Sequence, residues 1–307
     1  MASLKNTLTG TGIALVTPFS SNFDIDFDAF EKMIHYVING GVEYIVVLGT
    51  TAEAPTLSSA EKKDLIKFSY DAVKKRVPVV VGIGGNNTAE LMHDLETFPL
   101  EEAIAVLSAS PYYSKPSQEG IFQHYKTLAE ASPKPILLYN VPGRTSKNVE
   151  AATVIRLANE VENIAGIKEA GGDFAQCIKI LRDAPEDFLV VSGDDALAMP
   201  QIACGMQGVI SVAGNAFPKD FSDMVRSSLK SDFKTAKSIN DKLAGAYELM
   251  FAENNPAGVK AFLAEMGLIE NYLRLPLVPL SEKYHAQIKA FMQAYGDDLK
   301  KKPVQAD

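Results

Sequence analysis

The sequence predicts an α/β protein, a (β/α)8 TIM barrel with a C-terminal helical appendage. Three observations favour this fold. Short apolar runs rich in Val and Ile recur eight times up to Val212. Segments with helical periodicity separate them at a spacing of roughly 20–35 residues, the size of one βα unit. After Pro218 only helical patterns follow, and the 307 residues suffice for a barrel of about 250 residues plus an extra element.

The eight apolar runs are continuous rather than alternating, which is typical of parallel strands buried on both faces. In chain order they are Ile13–Val16, Tyr44–Leu48, Val77–Ile83, Ala103–Leu107, Pro135–Tyr139, Ile164–Ile167, Phe188–Val191 and Gly208–Val212. Eight strands alternating with helices favour a closed barrel over an open doubly wound sheet. The open sheet would normally carry a G-x-G-x-x-G turn after its first strand, and Thr17-Pro18-Phe19 is not one.

Apolar residues three and four apart predict the helices. Between strands they include Phe27–Ile38, Ser59–Lys75 with Ser59 as its N-cap, Ala151–Ala158 and Asp173–Leu181. Beyond the barrel they are Asp220–Leu229, Asp232–Met250, Pro256–Met266 and Ser281–Tyr295, with Leu273–Leu280 as a Pro-rich connector. We therefore expect residues 1–230 to form the barrel that carries the active site. Residues 231–307 are expected to form a C-terminal helical domain whose tail, from Lys300, is frayed.

Composition excludes several classes of function. Thirty Lys and Arg against 38 Asp and Glu give a net charge of -8, which disfavours binding to nucleic acid or to anionic membranes. The two cysteines, Cys177 and Cys204, are spaced for neither a zinc knuckle nor a disulfide framework. No apolar run approaches the roughly 18 residues of a membrane span, and Met1–Thr9 has no secretory pattern. A cytoplasmic protein is expected.

Catalytic side chains of a barrel come from residues that follow its strands. Lys168 ends the sixth run, where partial removal from water favours the neutral amine, a nucleophile that forms a Schiff base with a carbonyl. Its alternative is a structural lysine paired with Glu169 or with another acid at a strand end. Tyr139 ends the neighbouring run, about 4.8 Å away in a sheet, and its phenol suits proton transfer. Its alternative is an ordinary core tyrosine.

Other strand ends carry groups that suit a carboxylate ligand. Gly49-Thr50-Thr51 combines a close backbone approach with two hydroxyls, although either threonine is equally suited to cap a helix with Glu53 in its first turn. Arg144 follows the fifth run on a Pro-Gly turn that is expected to be flexible, and it suits a bidentate carboxylate contact or plain solvation. Tyr112-Tyr113 suits a site or a subunit interface.

A metal site or a Ser-His-Asp triad has little support. All four histidines fall within helical patterns rather than at strand ends: His35, His93, His124 and His285. Metal ligands and triad histidines need to converge at one place, which for a barrel is its C-terminal face.

At these residues the sequence resembles the dihydrodipicolinate synthase family, which belongs with N-acetylneuraminate lyase to the pyruvate-dependent class I aldolases. The resemblance is carried by Tyr139-Asn140-Val141-Pro142-Gly143-Arg144-Thr145 and Gly166-Ile167-Lys168-Glu169-Ala170. Further matches, in the same order as in the family, are Gly49-Thr50-Thr51-x-Glu53, Pro111-Tyr112-Tyr113, Ser192-Gly193-Asp194-Asp195, Gly208–Val212, Asn255-Pro256 and Lys260. Together they cover nearly the whole chain.

The resemblance implies a role for each site residue. Lys168 would form the Schiff base with pyruvate, without metal or organic cofactor. Tyr139 would move protons through Thr50 to Tyr113, which would reach in from a neighbouring subunit of a homotetramer, a dimer of dimers. Thr51 would hold the pyruvate carboxylate, and Ile210 would line the pocket. Arg144 would meet the carboxylate of aspartate semialdehyde, the second substrate.

Departures from the family pattern concern regulation and one turn. Ala52 stands where the family usually has glycine, which is tolerable if its φ is negative. Asn86, Glu90 and Tyr112 match the family's lysine-binding allosteric site. Ser59 and Lys62 occupy positions that are histidine in some lysine-inhibited members. A cationic Lys62 would oppose a lysine ligand, so feedback inhibition is in doubt.

The favoured function is therefore condensation of pyruvate with aspartate semialdehyde, in lysine and diaminopimelate biosynthesis. Three alternatives remain. One is a sibling lyase for N-acetylneuraminate or a sugar acid, which the Arg144 motif disfavours. Another is a non-catalytic barrel that binds a keto acid. A third is a phosphate-binding barrel using Gly84-Gly85-Asn86, against which Asp194-Asp195 after the seventh run argues.

Overall fold

A computed structural model describes residues 4–301, with side chains up to residue 296. Eight parallel strands close into a barrel in sequence order, with β1 pairing to β8, so the predicted (β/α)8 fold is confirmed. The strands are β1 Gly10–Ala14, β2 Tyr44–Val47, β3 Val79–Gly82, β4 Ala105–Ala109, β5 Ile136–Asn140, β6 Ile164–Glu169, β7 Leu189–Ser192 and β8 Gly208–Ser211. Nearly every strand residue is buried, as their continuous apolar runs indicate.

Helices cover the outside of the barrel and continue beyond it. They are α1 Leu4–Thr7, α2 Phe27–Asn39, α3 Ser59–Val73, α4 Thr88–Thr97, α5 Gln118–Ala131, α6 Pro142–Thr145, α7 Ala151–Glu160, α8 Phe174–Asp183, α9 Ala198–Ala203, α10 Pro218–Leu229, α11 Phe233–Phe251, α12 Ala257–Glu265 and α13 Glu282–Lys301. The cap of α3 differs from the expectation. The side chain of Ser58, not that of Ser59, accepts a hydrogen bond from the Glu61 N–H. The Glu61 carboxylate in turn accepts from the Ser58 N–H, which completes a capping box.

The interior of the barrel is packed rather than open. Tyr44 and Leu8 are fully buried in one cluster with barrel residues such as Ile210. Gly12 of β1 provides the space, because a Cβ there would lie 2.1 Å from Cε2 of Tyr44. β1 begins at Gly10, three residues before the predicted run, because Gly10, Thr11 and Gly12 have no apolar signal although they are buried in the strand.

The last three helices form the predicted appendage. Phe217, just before α10, contacts Phe262 of α12 at 5.7 Å between ring centroids, and Phe262 contacts Phe291 of α13 at 5.8 Å. These aromatic contacts fix α12 against the barrel.

The predicted division of the chain into two domains at residue 230 stays a prediction. The expected fraying concerns residues 300–307, of which 302–307 lie outside the described residues. None of the helices within residues 4–301 is long and apolar enough to cross a bilayer.

Candidate active site

Lys168 and Tyr139 lie side by side at the C-terminal end of the barrel. They are register partners on β6 and β5, and Lys168 Nζ lies 4.3 Å from the centroid of the Tyr139 ring. Both side chains are buried. Among the described residues, Lys168 Nζ has no carboxylate or hydrogen-bonding partner. A buried amine without a counter-ion, beside a phenol, is suited to act as a nucleophile.

Glu169 does not pair with Lys168, so that alternative is wrong. Its carboxylate accepts hydrogen bonds from Asn140 Nδ2, at 3.0 and 2.9 Å, from Gln176 Nε2 and from the Gly171 N–H. Burial nevertheless raises the pKa of Glu169 above its ordinary value, against the lowering effect of these bonds. Glu169 therefore organises the loop after β6 and leaves the amine free.

Gly193, after β7, leaves room for the Lys168 side chain. A Cβ at this position would lie 2.9 Å from Lys168 Cε and 2.6 Å from the Cβ of Ala170. The Gly193 N–H donates to the Glu169 carbonyl at 2.7 Å, which fixes the strand end against the lysine. Any larger residue would displace the amine from its place beside Tyr139.

A cavity of about 280 Å³ opens at this end of the barrel. Its lining includes Thr50, Gly84, Tyr112, Tyr139, Val141 and Arg144. Ile210 is buried in the same interior cluster as Tyr139. A cavity of this size, apolar on most of its wall and bordered by a few polar groups, suits a small organic acid.

The residues after β2 form a 3₁₀ turn, Thr50–Ala52. Gly49 precedes the turn and no side chain caps it, so the expected role of a threonine as cap is wrong. Ala52 does not have a positive φ; the left-handed residue is Glu53, with φ 55°. An alanine in place of the family glycine is therefore accommodated without backbone strain.

Arg144 lies on α6, a single helical turn, rather than on the flexible turn expected from Pro-Gly. The guanidinium is exposed at the cavity wall, and its Nη2 donates to the main-chain oxygen of Asn255 at 3.1 Å. The contact leaves other guanidinium N–H groups available, so Arg144 is suited to take a carboxylate at the entrance.

The remaining predicted residues lie around or outside the cavity. Tyr112 lines it, whereas Tyr113 is 89% exposed and has φ 67°. Within one chain, Tyr113 is therefore directed to solvent and is free to meet another subunit. Asn86 and Glu90, before and within the first turn of α4, are exposed. Lys62 of α3 lines the cavity.

Two residues of the site, Asn255 and Lys260, received no role from the sequence. Asn255 is buried, and its Nδ2 donates to Thr51 Oγ1 at 3.1 Å. Glu53 and Lys260 form an ion pair of 2.5 Å between two side chains with no exposed surface. The family matches were the only signal for Asn255 and Lys260, because about 200 residues separate both from the turn after β2 that they contact.

Asp195 occupies the place where a phosphate group would bind in many barrels. Its carboxylate accepts from the N–H groups of Val212, at 3.1 Å, and Ala213, at 2.7 Å, just after β8. Burial raises its pKa to about 6. Because a side chain already uses these N–H groups, the geometry argues against a phosphate-binding barrel. Among the side chains that the structure describes, residues 4–296, no three His, Cys, Asp or Glu side chains are grouped as metal ligands.

The fold and the site define the protein as a (β/α)8-barrel enzyme with a buried lysine amine at the mouth. The family model of the dihydrodipicolinate synthetase family matches residues 7–295. A curated relative from Flavobacterium psychrophilum, 4-hydroxy-tetrahydrodipicolinate synthase, is 50% identical over 92% of this chain and 96% of its own. The chain therefore belongs to the dihydrodipicolinate synthetase family.

Solved structures agree with this assignment. Dihydrodipicolinate synthase from Acinetobacter baumannii, complexed with pyruvate, superimposes with a TM-score of 0.91 at 39% identity, covering 94% of this chain and 99% of its own. A monomeric dihydrodipicolinate synthase variant superimposes with a TM-score of 0.92 at 37% identity, covering 95% and 98%. The predicted family is thus confirmed by sequence and by structure.

Proposed function

We propose that this protein is a lyase that condenses pyruvate with L-aspartate-4-semialdehyde to give 4-hydroxy-tetrahydrodipicolinate, a step in lysine and diaminopimelate biosynthesis. The single observation that carries the proposal is the buried Lys168 Nζ, which lies 4.3 Å from the centroid of the Tyr139 ring and has no counter-ion among the described residues. The family match supports the substrate pair. The cytoplasm is the proposed compartment.

The chemistry begins at the lysine. The neutral Lys168 amine attacks the ketone carbon of pyruvate, and loss of water gives an iminium ion. Loss of a proton from the methyl group gives an enamine, whose carbon attacks the aldehyde carbon of the second substrate. The new alkoxide takes up a proton, and attack of the substrate's own amine on the iminium carbon closes the ring and releases Lys168. Tyr139, whose ring centroid lies 4.3 Å from Lys168 Nζ, is the proposed group that moves these protons.

The two carboxylates would bind at different places. Thr51 is buried at the turn after β2 and is the proposed contact of the pyruvate carboxylate, with Ile210 packing beside it. Arg144, exposed at the cavity wall, is the proposed contact of the aldehyde substrate. Separating them by depth lets pyruvate react before the second substrate enters.

Thr50 and Tyr113 would complete the proton path to solvent. Because Tyr113 is 89% exposed, we propose that it enters the site of a neighbouring subunit within a homotetramer, a dimer of dimers. Light scattering of the active protein tests this assembly, since a fully active monomer would contradict it. One structural neighbour is itself a monomeric variant, so assembly is a property to be measured for each member.

No metal or organic cofactor is part of the proposed reaction, because the protonated imine itself withdraws electrons from the bond that reacts. Activity should survive exhaustive treatment with a chelator. Loss of activity that a divalent ion restores would overturn this part of the proposal.

Regulation by lysine is proposed to be weak. Asn86, Glu90 and Tyr112 match the family's lysine site, but the cationic Lys62 lines the same cavity as Tyr112. A like charge there opposes a lysine ligand. Lys62→His should then increase inhibition by added lysine.

Reductive trapping tests the proposed function. Borohydride added with pyruvate should give a stable adduct on Lys168, found by mass spectrometry of the digested protein. Lys168→Ala should remove the adduct, whereas Lys179→Ala, at an exposed lysine of α8, should keep it. A full adduct in Lys168→Ala would show that the nucleophile is elsewhere. With trapping established, turnover with aspartate semialdehyde against cleavage of N-acetylneuraminate separates the synthase from its sibling lyases.

A further inference from the structure

Asn255 connects two parts of the site that are distant in sequence. Its side-chain Nδ2 donates to Thr51 Oγ1 at 3.1 Å across 204 residues of chain. Its main-chain oxygen accepts from Arg144 Nη2 at 3.1 Å. Asn255 is only 4% exposed and Thr51 only 2%. One residue of the C-terminal region therefore contacts both proposed carboxylate-binding side chains.

The direction of the side-chain bond decides what Thr51 can do. A threonine hydroxyl has one proton to donate and lone pairs to accept. Because Asn255 donates to Oγ1, that oxygen acts as acceptor and its own O–H stays free to donate elsewhere. A free donor is what an anionic carboxylate requires.

Asn255 is not satisfied by the protein alone. Its Oδ1 is buried and has no hydrogen-bonding partner among the described residues. A buried amide oxygen without a partner is costly and is not expected of a purely structural asparagine. The hydrogen bond from Nδ2 to Thr51 Oγ1 is the one side-chain contact of this kind that Asn255 makes among the described residues.

A second contact holds the same two segments together. Glu53, two residues after Thr51, pairs with Lys260, five residues after Asn255, at 2.5 Å. The main-chain N–H of Lys260 also donates to the carbonyl of Pro256, the residue after Asn255. This bond connects the first turn of α12, which carries Lys260, to Asn255. The position of Asn255 against Thr51 is therefore fixed by a buried ion pair.

We propose that Asn255 is a positioning residue that keeps the Thr51 hydroxyl as a donor toward the carboxylate of the first substrate. The inference rests on the proposed function, because it assumes that Thr51 meets pyruvate. It assigns no direct contact with substrate to Asn255.

Two substitutions with opposite predictions test the inference. Asn255→Ala leaves the Thr51 hydroxyl free to rotate, so the KM for pyruvate should rise about fivefold, as for loss of one neutral hydrogen bond. Asn255→Asp keeps the shape but accepts the Thr51 proton and adds negative charge. The KM for pyruvate of Asn255→Asp should exceed that of Asn255→Ala by at least about tenfold. A residue needed only for packing would give the reverse order, because aspartate is nearly isosteric.

The KM for the second substrate and a double-mutant cycle complete the test. The KM for aspartate semialdehyde should stay within about twofold, because Arg144 contacts the main chain of residue 255, which both variants keep. In a Thr51→Val background, Asn255→Ala should cause no further rise, since it acts through the hydroxyl. Additive effects, or a smaller loss in Asn255→Asp than in Asn255→Ala, would overturn the inference.

The controls separate failure of the inference from failure of the proposed function. Asn254→Ala removes a neighbouring side chain that makes no hydrogen bond with any described residue, and its kinetics should match the wild type. If the wild-type protein gives no borohydride-trapped pyruvate adduct, the proposed function fails. If it gives the adduct while the Asn255 variants bind pyruvate normally, only the inference fails. Should Asn255→Asp not fold, the double-mutant cycle with Asn255→Ala still decides.

Discussion

The buried ion pair between Glu53 and Lys260 should be a major element of stability at pH 7. Lys260 Nζ contacts Glu53 Oε1 at 2.5 Å and the Tyr272 carbonyl at 2.9 Å, and lies 4.2 Å from the centre of the Phe19 ring. Burial lowers the pKa of Lys260 to about 8 against the opposing attraction of Glu53, so the ammonium is protonated at pH 7.

Lys260→Met keeps the volume and removes the charge. It leaves the Glu53 carboxylate buried with the Arg274 N–H, at 3.0 Å, as the one donor still in contact among the described residues. Breaking a buried pair in this way costs about 3–5 kcal/mol. An unfolding entropy of about 2.1 cal/mol/K per residue gives about 0.6 kcal/mol/K for this chain, so Tm should fall by about 5–8 °C.

Thermal unfolding followed by circular dichroism at pH 7 measures the effect. Lys289→Met is the matched control, because Lys289 forms an exposed pair with Glu265 at 3.9 Å, and its Tm should change by no more than about 1 °C. Glu53→Gln combined with Lys260→Met removes the isolated buried charge, so the double variant should be more stable than Lys260→Met alone. If Lys260→Met lowers Tm no more than Lys289→Met does, the reasoning is refuted.

Three further predictions concern the amine, the entrance and pH. Gly193→Ala should slow formation of the trapped pyruvate adduct, measured by mass spectrometry over time, because the new Cβ would lie 2.9 Å from Lys168 Cε; an unchanged rate would contradict the packing argument. Arg144→Ala should raise the KM for aspartate semialdehyde by at least about tenfold and change that for pyruvate little, in steady-state assays; the opposite pattern would reverse the two sites. Glu61 has its pKa lowered from 4.5 to about 2, chiefly by its hydrogen bond with Arg274. A carboxylate with a lowered pKa stabilises the fold fully above pH 4.5, and this stabilisation is lost as the pH falls toward 2. The Tm difference between wild type and Glu61→Gln should therefore be largest at pH 7 and should shrink between pH 4.5 and pH 2. A Tm difference that does not change with pH would exclude the charge of Glu61 as its cause.

The adjacency of Lys168 and Tyr139 could be predicted from sequence because parallel strands of a barrel end at the same face. Two apolar runs ending in Tyr and Lys were sufficient for that inference, and the register confirms it. The first residues of β1 could not be predicted in the same way. Gly10, Thr11 and Gly12 carry no apolar signal, and only the packed structure shows that Gly12 faces the Tyr44 ring and Gly10 the Glu43 side chain.

Capping and turn geometry were predicted less well. Ser58 rather than Ser59 caps α3, and Gly49 rather than a threonine precedes the 3₁₀ turn. Each error is one or two residues along the chain, because several neighbouring residues have the same capping chemistry. Which of them accepts the hydrogen bond depends on the φ and ψ angles imposed by packing.

The sequence by itself determined the barrel, its eight strands, the helical appendage and the strand-end lysine, because each depends on local periodicity or on the order of strands. Only the tertiary structure decided that Asn255 meets Thr51 and Arg144, that Lys260 pairs with Glu53, and that Asp195 occupies the N–H groups after β8. The physical reason is range. The apolar periodicity of a strand or a helix, two or 3.6 residues, can be read from neighbouring positions in the sequence. A hydrogen bond across 204 residues depends instead on how distant helices and strands pack together.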